Sequence, residues 1–210
     1  MIENFQRIPQ TYNGTGLDGS GKSTQTSLLA EALRNQGHDV VTTKAYHDEH
    51  KQRYGSIIST LATSGEIGNI MLTMMFKVFE RQQLNVTLNA VKNGSVVLTD
   101  RWDEGFEAYH RQKGFASQYP KIRSVISGLG FGGYIPKQTF FYDLPYEVAQ
   151  ERMGVRGTPD AFDARGREYH DMMRTGFHQL AAERNWEIVD GRLPIDEIHL
   201  LVAQAVLADL

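Results

Sequence analysis

The run Gly16-Leu17-Asp18-Gly19-Ser20-Gly21-Lys22-Ser23, followed by Thr24, constrains the architecture of this 210-residue chain more than any other stretch. Its spacing of glycines, lysine and hydroxyl is that of a phosphate-cradling loop. The glycines let successive backbone N–H groups curl around an anion without Cβ clashes, and a following helix points its positive end at the same place. A loop of this kind is launched by a strand and closed by a helix. The helix is legible from Ser23 onward: Leu28, Leu29, Ala32 and Leu33 share one face, and Gly37 supplies the stop. The strand is harder to read, because the preceding segment carries Gln, Thr, Asn and a proline where a central parallel strand is normally a continuous apolar run. Thr11 to Thr15 is the expected strand, since the loop requires one there.

The rest of the chain repeats the alternation. Short β-branched runs at "HDVVTT", "SVVLTDR", "QTFFYDLP" and "NWEIVDG" read as strands. Helical stretches separate them: one or two helices from about Glu66 to Lys92, "YEVAQERM", Ala161 to Glu183, and a closing amphipathic helix led by Pro194. The pattern predicts an α/β domain with a parallel sheet, spanning residues 1–210 as one unit. A net charge of −3 lacks the basic footprint of a nucleic-acid binder, and no run approaches the length of a membrane span. The absence of cysteine excludes disulfides, zinc-thiolate sites and thiol nucleophiles. No targeting segment is apparent at the start, so a cytoplasmic address is expected.

Chemistry concentrates at two places. In the loop, Lys22 adds charge near the β and γ phosphates of a nucleotide, and Ser23 is placed to ligate Mg²⁺. Gly16, Gly19, Ser20, Gly21 and Thr24 complete the phosphate-binding set. The loop alone fits GTPases, ATPases, small-molecule kinases and nucleotide-binding modules alike. Asp18 would repel phosphates, so it either faces a sugar hydroxyl of an acceptor or serves as a turn-forming residue. The second place is Asp100-Arg101, at the end of a buried strand. Ligands of open α/β sheets bind beyond the carboxyl ends of strands, which puts this pair beside the loop. Asp100 could hold Mg²⁺ through water, and Arg101 could fork onto an acceptor phosphate. His47-x-x-His50 reads as a solvated loop, and "GLGFGG" at Gly128 to Gly133 as a flexible connection, because it precedes a strand.

Together these segments resemble the thymidylate kinase family. The family's GxDGxGKST loop matches Gly16 to Thr24, and its DR(Y/H)xxSxxAY segment matches "DRWDEGFEAY". A proline-led strand matches "PKQTFFYDLP", an arginine-bearing lid with a DxFE-like turn matches "RMGVRGTPDAFD", and "WEIVDG" matches the strand and loop approaching adenine. The matches run in order from residue 11 to about 205. The resemblance implies a P-loop kinase fold: a five-stranded parallel sheet flanked by helices, a short lid at about 152–165, and a homodimer. The implied reaction is ATP- and Mg²⁺-dependent phosphorylation of dTMP to dTDP. Carried over by position, Asp18 would meet the deoxyribose 3′-OH, and Tyr109 would pack beneath the sugar. Arg101 would bind the acceptor phosphate, and Asp100 would support the magnesium. Lid residues Arg152 and Arg156 would close over the transferring group, replacing an arginine that some members carry where this chain has Gly19. Arg192, after the last strand, would lie toward ATP.

Three departures concern the acceptor side. The Arg-Glu-Pro or Phe-Pro segment usual after the second strand is replaced by "TTKAYHDEHKQRYG", where Lys44 is the substitute for a phosphate-binding arginine. The usual serine of the Asp-Arg segment is Gly105, followed by Phe106, which cannot hydrogen-bond to a base edge. The base-stacking and base-reading candidates, Phe76 and Arg81, are five positions apart rather than four. Alternative readings are therefore a deoxynucleoside monophosphate kinase with broadened preference, for example for dGMP, and a non-catalytic ATP-binding regulatory module. A deoxynucleoside kinase would need a carboxylate base, and a GTPase would need a guanine-reading Asn-Lys-x-Asp. The expected partners are ATP and a deoxynucleoside monophosphate, with no nucleic-acid polymer and no membrane.

Overall fold

The computed structural model describes residues 5–44, 46, 48–113, 128–154 and 166–210. Five strands form one sheet: β1 (Gln6–Thr15), β2 (Val40–Thr43), β3 (Val96–Asp100), β4 (Tyr134–Asp143) and β5 (Glu187–Asp190). Their spatial order is β2-β3-β1-β4-β5, and every pairing is parallel. Seven helices are seen among the described residues: α1 (Lys22–Asn35), α2 (Asp48–Thr63), α3 (Gly65–Lys92), α4 (Glu104–Gln112), α5 (Tyr146–Gly154), α6 (Gly166–Arg184) and α7 (Ile195–Leu207). The α/β class and the five-stranded parallel sheet expected from the sequence are what the chain forms.

The polar first strand is accommodated by its two-residue period. Tyr12 joins a cluster with Leu29 and Leu33 of α1 and Val202 and Val206 of α7. The alternate residues Thr11, Asn13 and Thr15 are just as deeply buried, yet polar. Asn13 accepts a hydrogen bond from the Thr99 hydroxyl at 2.8 Å, and its amide donates to Glu104 Oε1 at 3.4 Å. The strand is longer than expected because Gln6 to Ile8 pair with β4 alone. Pro9 falls where the register shifts between Ile8 and Tyr12, with Gln10 at φ 52°. At such a bulge the proline's missing N–H removes no ladder bond.

Other boundaries also differ. The segment after β2 forms α2 rather than a loop, so His50 is helical; His47 lies outside the described residues. The stretch to Lys92 is one helix of 28 residues. The helix expected from Ala161 is described from Gly166, and 155–165 lie outside the described residues.

Two contacts fix α4, the helix that follows Asp100-Arg101. Gly176 of α6 lets the two helices approach so closely that a Cβ there would sit 2.8 Å from the Ala108 side chain. Arg184, at the end of α6, forks onto Asp103 at 2.7 and 3.2 Å. Among the described residues, no helix is long and apolar enough to cross a membrane.

Candidate active site

Parallel pairing of β1 with β3 sets Gly14 beside Asp100, so the two strands deliver the glycine-rich loop and the Asp-Arg pair to one edge of the sheet. The loop's geometry requires its glycines. Gly16 has φ 146°, and a Cβ there would lie 2.7 Å from the Tyr142 carbonyl oxygen. Gly19 has φ 83°, and a Cβ would meet the Ala149 carbonyl of α5 at 3.0 Å. A side chain at position 19 would therefore start against the backbone of α5. Gly21, at φ 89°, leads into the first turn of α1.

Lys22 is buried, and its ammonium donates to the Leu17 carbonyl at 2.9 Å and lies 3.6 Å from Asp18. Burial, and then the Arg101 guanidinium nearby, push Lys22 down to about 8. Arg101 is one of three non-glycine residues with positive φ among the described residues, at 76°. Its backbone N–H donates to Gly14 at 3.1 Å, and its guanidinium donates to the Gly16 carbonyl at 3.1 Å and to Asp18 at 2.6 Å. Burial raises the Asp18 carboxyl, but Arg101 and Lys22 outweigh it and leave Asp18 below the usual carboxylate range.

Asp100 gathers the other partners. Its Oδ2 accepts from the Ser23 hydroxyl at 2.8 Å and from Lys44 at 2.9 Å. Its Oδ1 is buried without a hydrogen-bond partner. Burial again pushes the carboxyl up and is overcome, here by Lys22 and Lys44. Lys44, proposed from sequence only as a substitute, is thus drawn into the cluster. Five charged side chains thus gather in two neighbouring ion-paired groups, Asp18 with Lys22 and Arg101, and Asp100 with Lys44.

The acceptor-side residues are less tightly joined. Tyr109 and Leu17 flank the apolar cluster around Phe177, with Tyr109 6.4 Å from the Tyr169 ring. Phe106 lies against His110, and the Lys77 ammonium sits 3.9 Å from the Phe106 ring centre. Lys77 is buried and donates to both oxygens of Glu80, at 3.0 and 2.8 Å. Phe76 packs edge-on against Tyr46 and Phe79. Arg81 is exposed and donates to the Gly128 carbonyl at 3.3 Å. Five helical positions separate Phe76 from Arg81 by about 140° around the axis, so continuous α3 does not bring them onto one face. Arg152 is half-buried in the last turn of α5, and Arg156 lies outside the described residues. Arg192 is exposed and pinned to Asp190 at 2.7 Å.

The thymidylate kinase family model matches residues 15–202. The chain is 30% identical to the thymidylate kinase of a Bradyrhizobium species over 200 residues, covering 91% of this chain and 86% of that protein. The thymidylate kinase of an Exiguobacterium species is 32% identical over 180 residues, covering 83% and 82% of the two chains. That of Caulobacter vibrioides is 26% identical over 204 residues, covering 93% and 94%. The chain belongs to the thymidylate kinase family. The family is one of nucleoside monophosphate kinases.

Two residues that pattern reading missed support the site. Glu104 is buried, and both its oxygens accept from the Trp102 N–H, at 3.0 and 2.9 Å. Burial pushes its carboxyl up. Gln83 donates to the Arg101 carbonyl from the middle of α3, where no motif marks it. An acidic residue two places beyond Trp102 was a signal for Glu104; Gln83 offered none.

The Lys22 environment predicts a pH limb. Below pH about 8 the ammonium is charged and would attract a terminal phosphate; above it the free protein loses that charge. Affinity for ATP, measured by titration calorimetry, should fall above pH about 8 with a slope approaching about tenfold per pH unit. A flat profile to pH about 9.5 would contradict the assignment of Lys22.

Proposed function

We propose that this chain transfers the γ-phosphoryl group of ATP to a deoxynucleoside monophosphate, converting dTMP to dTDP, as one kinase domain over 1–210 with a lid at about 152–165. The observation that carries the reading is the Arg101 guanidinium lying between the Gly16 carbonyl and the Asp18 carboxylate. A phosphate taken up by Arg101 would therefore meet the terminal phosphate of a nucleotide cradled over Lys22. An acceptor phosphate is already ionised, so the transfer needs no general base; positioning and charge supply the catalysis. Lys22 and Arg101 draw charge from the transferring group, with Arg152 and Arg156 added from the lid. Lys44 supports the acceptor phosphate, Asp18 turns to the 3′-OH, and Tyr109 lies under the sugar. Gly16, Gly19, Ser20, Gly21 and Thr24 hold the ATP phosphates, and Arg192 lies toward the nucleotide.

The donor set fits Mg²⁺: the Ser23 hydroxyl adjoins Asp100, whose Oδ1 is buried with no partner. When bound, the ion neutralises charge on the ATP phosphates. Ser23 would hold it directly and Asp100 through water. A cytoplasmic setting suits this chemistry.

The test is ADP formation from Mg·ATP with dTMP, dUMP, dGMP, dAMP and dCMP offered separately. Turnover confined to dTMP and dUMP is expected. Comparable turnover with a purine would replace it with the broadened reading, for which Phe106, lacking a hydrogen-bonding group, would be the structural reason. ATP binding with no turnover on any acceptor would leave a regulatory module.

The homodimer reading is supported by α3, where Met71, Met74, Val78 and Val86 expose between 44% and 65% of their surface along one side. Apolar residues so aligned are expected to be covered in an assembly. Sedimentation velocity should give a dimer for the unmodified chain and a monomer for Val78→Glu; a monomer in both would remove the proposal.

A further inference from the structure

One buried amide stands behind both cations assigned to the acceptor phosphate. Gln83 is 3% exposed. Its Nε2 donates to the Arg101 carbonyl at 3.2 Å and meets the Thr43 hydroxyl at 3.2 Å. A backbone carbonyl only accepts, so the nitrogen must face Arg101, which fixes the orientation of the amide. The cost is visible: Gln83 Oε1 is buried with no partner. Apolar side chains of similar size would fill the space without stranding an acceptor. The donor is what the position requires.

Its two partners share a purpose. Arg101 occupies a left-handed backbone conformation, φ 76°, that a side chain with a Cβ rarely adopts. Its N–H is held from β1 by Gly14, and its carbonyl is held from α3 by Gln83. Thr43 ends β2 and immediately precedes Lys44, whose ammonium reaches Asp100. The same amide therefore ties the ends of β2 and β3 to one point on α3.

We infer that Gln83 is a positioning residue for the acceptor phosphate. It holds Arg101 in its left-handed conformation and sets Lys44 at matching height, so that both cations converge on one anion. This rests on the reading above that Arg101 and Lys44 receive that phosphate.

The experiment compares the affinities of dTMP and thymidine, which differ only by the phosphate, in unmodified protein, Gln83→Met and Gln83→Glu. Gln83→Met keeps the volume and removes the donor; Gln83→Glu keeps the shape and puts an acceptor where the donor was. In unmodified protein dTMP should bind more tightly than thymidine. In each folded variant that ratio should fall by about tenfold or more, equivalent to one lost charge-assisted contact. Thymidine and ATP affinities should stay within about twofold. A role in packing alone would lower the melting temperature and leave the ratio unchanged, and an unchanged ratio in either folded variant overturns the inference. Equal binding of dTMP and thymidine by the unmodified protein would instead sink the phosphate reading, and the role of Gln83 with it.

Discussion

The site depends on the turn the backbone makes at Arg101. A strand that continued straight past Asp100 would carry the guanidinium away from the glycine-rich loop. The left-handed conformation at φ 76° folds it back, where it reaches the Gly16 carbonyl and the Asp18 carboxylate. Such a conformation costs about 1–3 kcal/mol in a residue with a Cβ. The surroundings over-determine it: Gly14 holds the N–H, Gln83 holds the carbonyl, and two acceptors hold the side chain. β1 and β3 must be adjacent and parallel for these partners to coincide, so sheet order and site geometry are one constraint.

Charge balance explains how three cations stay close together in a partly buried cleft. Lys22, Lys44 and Arg101 would repel one another, but Asp18 and Asp100 are interleaved between them. Each carboxylate is held below its usual range by its cationic neighbours even though burial opposes it. The two carboxylates thus offset two of the three cationic charges and leave the cluster net positive, ready for an anion. In the proposed reaction phosphates take the place of Asp18 beside Lys22 and Arg101, two cations that this carboxylate already holds close together. Burial pushes Lys22, the most buried of the three, down to about 8.

The fold and the clustering of the glycine-rich loop with the Asp-Arg pair were legible because they rest on local signals. The loop glycines, Lys22, Ser23 and Asp100-Arg101 are set by backbone requirements and by strand ends, both of which leave short-range patterns. The loop's need for a strand places Thr11 to Thr15, but the polarity of that strand was not legible, since Asn13 is satisfied by Thr99 and Glu104, partners about ninety residues away. Alternation along one strand cannot reveal a polar layer whose other half lies elsewhere. α2 escaped for a different reason: its charged segment resembles a solvated loop, and its packing on α3 outweighs composition. Five positions apart on continuous α3, Phe76 and Arg81 do not share a face. The structure adds that Lys77, which sits four places before Arg81, is buried against Glu80 and Phe106.

In the proposed reaction a single chamber holds donor and acceptor, with their phosphates meeting over Lys22 and Arg101. The direct test is a molecule that joins adenosine and thymidine through five phosphates, titrated alone and in competition with ATP and with dTMP. Binding at one molecule per chain is predicted, displacing both nucleotides, with affinity more than about tenfold above either one because the second contact becomes intramolecular. Displacement of ATP alone, with affinity no better than ATP itself, would contradict a shared chamber.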